Sequence, residues 1–173
     1  MTMRERLETE RLVLRVHSLE DYEDSVAMWG DPAVTRHIGG RPFTREETWA
    51  RLLRYVGHWS LLGFGFWIVR ERGSDRFVGE VGFLGGVRRE MDPPLEAEHE
   101  IGWALAPAAQ GRGLAFEAVR AAIAWGDARF GGARTTCIIH PDNARSIRLA
   151  EKCGYAEVRR TTYKGEPSVV FER

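Results

Sequence analysis

Three strand-like runs, residues 64–70, 77–84 and 98–105, succeed one another with no helical pattern between them. The first two are rich in aromatic and β-branched residues and meet at the polar turn Gly73-Ser74-Asp75, which predicts a hairpin. Residues 85–97, with Met91-Asp92-Pro93-Pro94, read as a loop, and residues 98–105 (EHEIGWAL) alternate again before Pro107 ends them. Adjacent strands of this kind, mixed with helices, argue for a mixed α/β (α+β) sheet with helices packed on it. They argue against a fully parallel doubly wound sheet.

The flanks complete the order β-α-α-β-β-β-α-β-α-β-β. Residues 11–16 alternate as a first strand, and Ser18 with Asp21 three residues on opens a short helix to Trp29. Asp31-Pro32 marks a break. Thr44 and Glu47, at capping-box spacing, open a second helix through Trp59, with Trp49, Leu52, Leu53, Val56 and Trp59 at helical spacing. Residues 114–130 form a third helix, with Phe116, Val119, Ile123 and Phe130 on one stripe. A β-branched strand at 133–139 follows, then a helix capped by Asp142 or Asn143 and ended by Gly154. Residues 155–160 and 168–172 are the last strands, separated by a turn at Lys164-Gly165-Glu166-Pro167.

No repeat or linker divides the 173 residues, so a single domain over 1–173 is expected. The 25 basic residues balance 25 acidic ones, which argues against a nucleic-acid or anionic-membrane partner and favours a small or neutral one. The uncharged stretch 56–69 is shorter than the roughly 20 apolar residues of a membrane span. The opening MTMRERLETE has no apolar signal segment, which predicts a cytoplasmic protein. Cys137 and Cys153 form no CxxC pair or His/Cys cluster, so they read as buried reduced thiols and no metal site is expected. The histidines carry no nucleophile signature that would support a hydrolase.

Chemistry concentrates at Leu105-Ala-Pro-Ala-Ala-Gln110-Gly111-Arg112-Gly113-Leu114-Ala115, where a strand end, a glycine turn and a helix start meet. The first helical turn has N–H groups without internal partners and a dipole that favours anions, and Gly111 and Gly113 permit close backbone approach. The P-loop pattern is absent, and Phe116 stands where the third glycine of a dinucleotide fingerprint belongs. What remains is Gln/Arg-x-x-Gly-x-Gly/Ala, as Gln110, Gly113 and Ala115.

Together with residues 9–15 (TERLVLR), 78–82 (VGEVG), 100–103 (EIGW), 143–146 (NARS) and 151–155 (EKCGY), this stretch resembles the GNAT superfamily of N-acetyltransferases. Within it the chain is similar to the ribosomal-protein N-terminal acetyltransferase-like, RimJ/RimL-type group. The resemblance implies a GNAT fold with a central, mostly antiparallel twisted sheet of about seven strands and helices on both faces. The sheet would splay between its fourth and fifth strands. It further implies acetyl-CoA as co-substrate. Backbone groups of Ala104, Leu105 and Ala106 would pair with the pantetheine amides, and the N–H groups of Gln110, Gly111, Arg112, Gly113, Leu114 and Ala115 would hold the pyrophosphate. Gly113 should matter through its backbone more than Arg112 through its side chain.

By the same resemblance Glu100 is the general base, acting through a water, with Glu98 two residues away as its stand-in. The bland alternative makes Glu100 a strand carboxylate paired with an arginine. The family's usual helix tyrosine is replaced by Ala150, which leaves Ser146, beside Asn143, as general acid. Against this, Asn143 is also a favoured helix cap and Ser146 could merely face solvent. The expected function is acetyl transfer to a primary amine, a protein N-terminus or small molecule, by direct attack in a ternary complex. Three alternatives stay open: a succinyl-type transferase reading its acyl carboxylate through Arg88-Arg89, an antibiotic, polyamine or amino-acid acetyltransferase, and a non-catalytic CoA-binding module. Homodimer formation is left open.

Overall fold

The computed structural model describes residues 5–86, 88–95 and 97–173. Residues 1–4, part of the N-terminal segment read above, and Val87 and Glu96 of the predicted loop lie outside them. The strands are β1 (Arg6–Glu8), β2 (Leu12–Val16), β3 (Phe66–Glu71), β4 (Phe77–Gly85), β5 (His99–Leu105), β6 (Thr135–Ile139), β7 (Ala156–Tyr163) and β8 (Glu166–Glu172). The helices are α1 (Tyr22–Trp29), α2 (Pro32–Thr35), α3 (Arg45–Leu62), α4 (Leu114–Arg129) and α5 (Ala144–Lys152).

The strands form one sheet in the order β1-β2-β3-β4-β5-β6-β8-β7, antiparallel throughout except at β5–β6. It has eight strands where about seven are expected. The extra one, β1, is a three-residue edge strand paired with β2 and too short to show a pattern. Asp31-Pro32 is more than a break, because Asp31 Oδ1 accepts from Ala33 N at 2.8 Å and the proline takes the first turn of α2.

The capping box of α3 forms as its spacing predicts, with Glu47 N donating to Thr44 Oγ1 at 3.1 Å and Thr44 N to Glu47 Oε2 at 2.8 Å. The face that α3 buries overlaps the expected one only at Leu52 and Trp59. Thr48, Leu52, Tyr55 and Trp59 are buried, whereas Trp49, Leu53 and Val56 are exposed. The helix carries two apolar stripes, and the buried one includes Tyr55, whose hydroxyl accepts from Arg51 Nη1 at 2.9 Å.

One face of the sheet meets α4 and α5 in a core built from Leu12, Leu14, Trp67, Val81, Phe83 and Ile101 of the strands and Leu114, Val119 and Ala150 of the helices. On α4, Val119 and Ile123 are buried as expected, while Phe116 is only partly so. A second cluster around Met28, Trp29 and Ala104 packs α1 near β5. Both cysteines are buried, and burial pushes the Cys137 thiol well up, so it stays protonated. No helix among the described residues is long and apolar enough to cross a membrane.

Candidate active site

The one parallel contact is brief. His99 pairs with Thr135 and Glu100 with Thr136, after which β5 and β6 part. β6 continues along β8 through Ile139, and β5 continues along β4 through Leu105. The gap opens into a cleft of about 140 Å³, lined on these strands by Glu100 to Trp103 and by Cys137 to Ile139. The splay thus falls between the strands expected to separate.

The register states which backbone groups face the gap. Leu105 pairs with Gly79, and Ala106 N donates to Val78 O at 2.9 Å, so Leu105 belongs to a non-hydrogen-bonded pair with β4. By alternation Ile101, Trp103 and Leu105 direct their N–H and C=O groups away from β4, toward the side that β6 has left. Ala104 directs its groups to β4. Ala106 also gives up its carbonyl, to Ala109 N at 2.9 Å. This corrects the expected trio: of Ala104, Leu105 and Ala106, only Leu105 faces the gap, with Trp103 and Ile101 behind it. The Leu105 carbonyl accepts from Gln110 Nε2 at 3.1 Å.

Pro107 ends β5 in a short 3₁₀ turn, Pro107–Ala109, and the chain then enters α4 through Gly111 (φ 75°) and Gly113 (φ 77°). Both are left-handed, which only glycine adopts at little cost, and Gly113 is the N-cap of α4. The N–H groups of the first turn, from Leu114 and Ala115 onward, have no acceptors four residues back within the helix. Gln110 Oε1 accepts from Arg145 Nη1 at 2.8 Å, tying this turn to α5. The Arg112 side chain turns to an ion pair with Glu71, and its carbonyl accepts from Arg11 Nη1 at 3.0 Å. Leu114 is buried in the core. A free strand edge running into oriented helical N–H groups suits an amide-bearing arm ending in a pyrophosphate.

Glu100, Asn143 and Ser146 line the same cleft, brought there from β5 and the start of α5. Glu100 is buried and held bidentately by Arg88, Nε to Oε2 at 2.9 Å and Nη2 to Oε1 at 2.8 Å. Burial opposes the Arg88 charge, but hydrogen bonding and attraction to Glu100 outweigh it and hold the guanidinium above the ordinary arginine value. The arginine partner considered from sequence is therefore present. Glu98 stands exposed before β5. Asn143 does cap α5, its Oδ1 accepting from Ser146 N at 3.3 Å, which leaves its amide N–H groups over. The Ser146 hydroxyl is half-buried and accepts from Trp103 Nε1 at 3.3 Å, so its own proton is free to be given away. Ala150, at the expected tyrosine position, is fully buried in the core.

The opposite wall includes Trp29, one of the aromatic residues concentrated in the first third of the chain. By the family resemblance that region covers the acceptor side of the cleft; Arg51 and Tyr55 have no expected role. Trp29 lies parallel to Phe43, centroids 5.3 Å apart, and the Arg51 guanidinium sits 4.1 Å from the Trp29 ring centroid. Trp29 is fixed from below, Nε1 donating to Glu80 Oε2 at 3.1 Å; Glu80 is buried, also accepts from Ser25 and has His17 at 3.4 Å. His37 and His140 stack at 5.3 Å across the cleft, and burial, then repulsion by His140, pushes the His37 pKa down. Beyond that concentration of aromatic residues, the sequence signals are a carboxylate amid apolar residues at Glu80 and the i, i+4 spacing of Arg51 and Tyr55.

Residues 11–156 match the family model of the acetyltransferase (GNAT) domain. The chain belongs to the GNAT family. It is an N-acetyltransferase, similar to the N-acetyltransferase p20 of Bacillus licheniformis, with 32% identity over 87% of this chain and 82% of that one. Among solved structures, a GnaT-family acetyltransferase from Bordetella pertussis superposes with a TM-score of 0.83 and 32% identity, covering 98% of this chain and 99% of the other. RimL, a ribosomal L7/L12 α-N-protein acetyltransferase solved with coenzyme A, shares the fold at a TM-score of 0.76 and 15% identity, over 98% and 97% of the two chains. The likeness of this GNAT enzyme to RimL is one of fold.

Proposed function

We propose that the protein transfers acetyl from acetyl-CoA to the primary amine of a small molecule or peptide N-terminus, by direct attack within a ternary complex. The observation that carries this reading is that Glu100, Trp103 and Ser146 line one cleft where β5 and β6 part, and that β5 then runs on through Leu105 into the left-handed glycine turn that starts α4. The RimL neighbour, solved with coenzyme A, supports the choice of cofactor. Leu105 and Trp103 would hold the pantetheine arm by their backbone groups, and the first turn of α4 would hold the pyrophosphate. Coenzyme A supplies the acetyl group as a thioester.

The chain's own residues divide the proton work. A carboxylate has room for about four hydrogen bonds, so Glu100 can receive the amine proton through a water while Arg88 holds it in place. The N–C bond forms as the C–S bond breaks, and Ser146 passes its proton to the departing sulfur while solvent water restores the serine proton. Backbone N–H groups on the open β5 edge polarise the carbonyl. Acetyl is favoured over a succinyl-type group because Arg88, the cation considered for the far carboxylate, is committed to Glu100, and Arg89 is exposed. The test is a panel of N-terminal peptides and small amines with acetyl-CoA, read by release of free thiol. Transfer well above the rate of thioester hydrolysis to at least one amine is expected. Coenzyme A binding without transfer to any amine would instead make the protein a CoA-binding module.

A further inference from the structure

Arg51 is a half-buried cation of the cleft that has no ion-pair partner among the described residues, in contrast to Arg88, which lines the same cleft and is paired with Glu100. It is also the most elaborately held. Its guanidinium carbon lies 4.1 Å from the Trp29 ring centroid and 4.8 Å from that of Phe43, and Nη1 donates to the Tyr55 hydroxyl at 2.9 Å. Each support is itself fixed. Trp29 Nε1 is bound to buried Glu80, and Tyr55 is buried against Phe66, ring centroids 4.5 Å apart and planes 2° apart. A planar guanidinium clamped on aromatic faces keeps its remaining N–H groups in a fixed fork, which matches a carboxylate.

We infer that Arg51 reads a carboxylate on the acceptor, so that the amine substrate is a small amino acid or similar amino carboxylate rather than a polyamine. The inference rests on the acyltransferase reading above and narrows its acceptor. Arg51, with Trp29 of α1 and Tyr55 of α3, lines the same cleft as Ile101 to Trp103 of β5, the strand assigned to the cofactor. The pairing of Arg88 with Glu100 leaves Arg51 as the uncompensated charge of the pair, and a polycationic amine would meet it with repulsion.

The experiment compares L-alanine, L-methionine and L-phenylalanine with their own carboxamides, and with spermidine, as acceptors for acetyl-CoA. The carboxamide's amine is less basic and so more often neutral at pH 7, so a preference for the carboxylate runs against intrinsic reactivity. The wild-type protein should favour at least one carboxylate over its amide by about ten-fold or more in kcat/KM, the size expected of a charge-assisted hydrogen bond. R51Q should reduce that ratio to about two-fold by raising the acceptor KM, with the acetyl-CoA KM unchanged, and R51K should restore part of it. Equal or better use of carboxamides or spermidine by the wild type overturns the inference. Succinyl-CoA outperforming acetyl-CoA with L-phenylalaninamide, and losing that advantage in R51Q, would place the carboxylate on the acyl group and overturn it as well. Saturation-transfer NMR of the same acid–amide pairs in the presence of coenzyme A decides the point without turnover. No transfer to any amine, together with selective binding of the acids, would reject the acyltransferase reading and keep Arg51 as the carboxylate receptor.

Discussion

The β5 edge and the start of α4 at residues 110–115 offer backbone groups freed by register and by left-handed glycines, whereas the cleft wall of Trp29, Arg51 and Tyr55 on α1 and α3 presents side chains. On the first, specificity comes from strand register and from glycines in left-handed conformations. On the second, it comes from rings, an arginine and a buried carboxylate gathered from distant parts of the chain. Backbone recognition suits a ligand that is always the same. Side-chain recognition can change acceptor without disturbing the fold.

The sharpest way to break the side-chain wall is at its foundation. Asp21 is fully buried and accepts from Arg15 at 2.7 and 2.8 Å and from Arg70 at 2.8 Å. Asp21→Ala leaves the guanidiniums of Arg15 and Arg70 without this partner and should cost about 3–5 kcal/mol in urea unfolding. The same group gives the wild type its acid sensitivity. Burial works to raise Asp21, but the hydrogen bonds of Arg15 and Arg70 prevail and bring it from 3.8 to about 2. Because the folded value lies below the unfolded one, its contribution of about 2 kcal/mol is fully present above pH 4. It is lost as the pH falls toward 2. An unfolding free energy that does not change across this window would remove Asp21 from the account.

Next in size is the chemistry at the junction of the walls. Glu100→Gln should lower kcat by about 100-fold while leaving acetyl-CoA affinity within a factor of about two. An unchanged kcat would reduce Glu100 to the ion-pair partner of Arg88. The backbone wall is tested by contrast. Gly113→Val forces a β-branched residue to φ 77° at the start of α4 and should cost about 1–2 kcal/mol of stability and about ten-fold in acetyl-CoA affinity. Arg112→Ala, which removes only a side chain paired with Glu71, should change that affinity by about two-fold or less. Reversal of this order would mean that the anion is held by side chains.

The same contrast explains what the sequence could reveal. The backbone wall is legible because it needs Gly111 and Gly113 at fixed spacing after a strand that ends at Pro107, and because Asn143 and Ser146 follow a strand and begin a helix. The order of elements emerged for the same reason, since caps such as Thr44–Glu47 are local. Nothing local links Trp29 to Phe43 or Arg51, or Arg88 to Glu100, because these contacts are created by packing of separate elements. On α3, local pattern is right only in part: Leu52 and Trp59 of the expected set are buried, but Trp49, Leu53 and Val56 are exposed and Tyr55 joins Leu52 and Trp59 on the buried stripe. Strand β1 and the choice of Leu105 over Ala104 depend on register, which a single strand's alternation does not determine.

The central claim, a cleft whose backbone wall holds acetyl-CoA, is tested most directly by calorimetric titration of acetyl-CoA into the purified protein. Saturable binding of one ligand per chain, weakened about ten-fold by Gly113→Val, is the predicted result. Absence of binding heat at about millimolar ligand across two temperatures would contradict it.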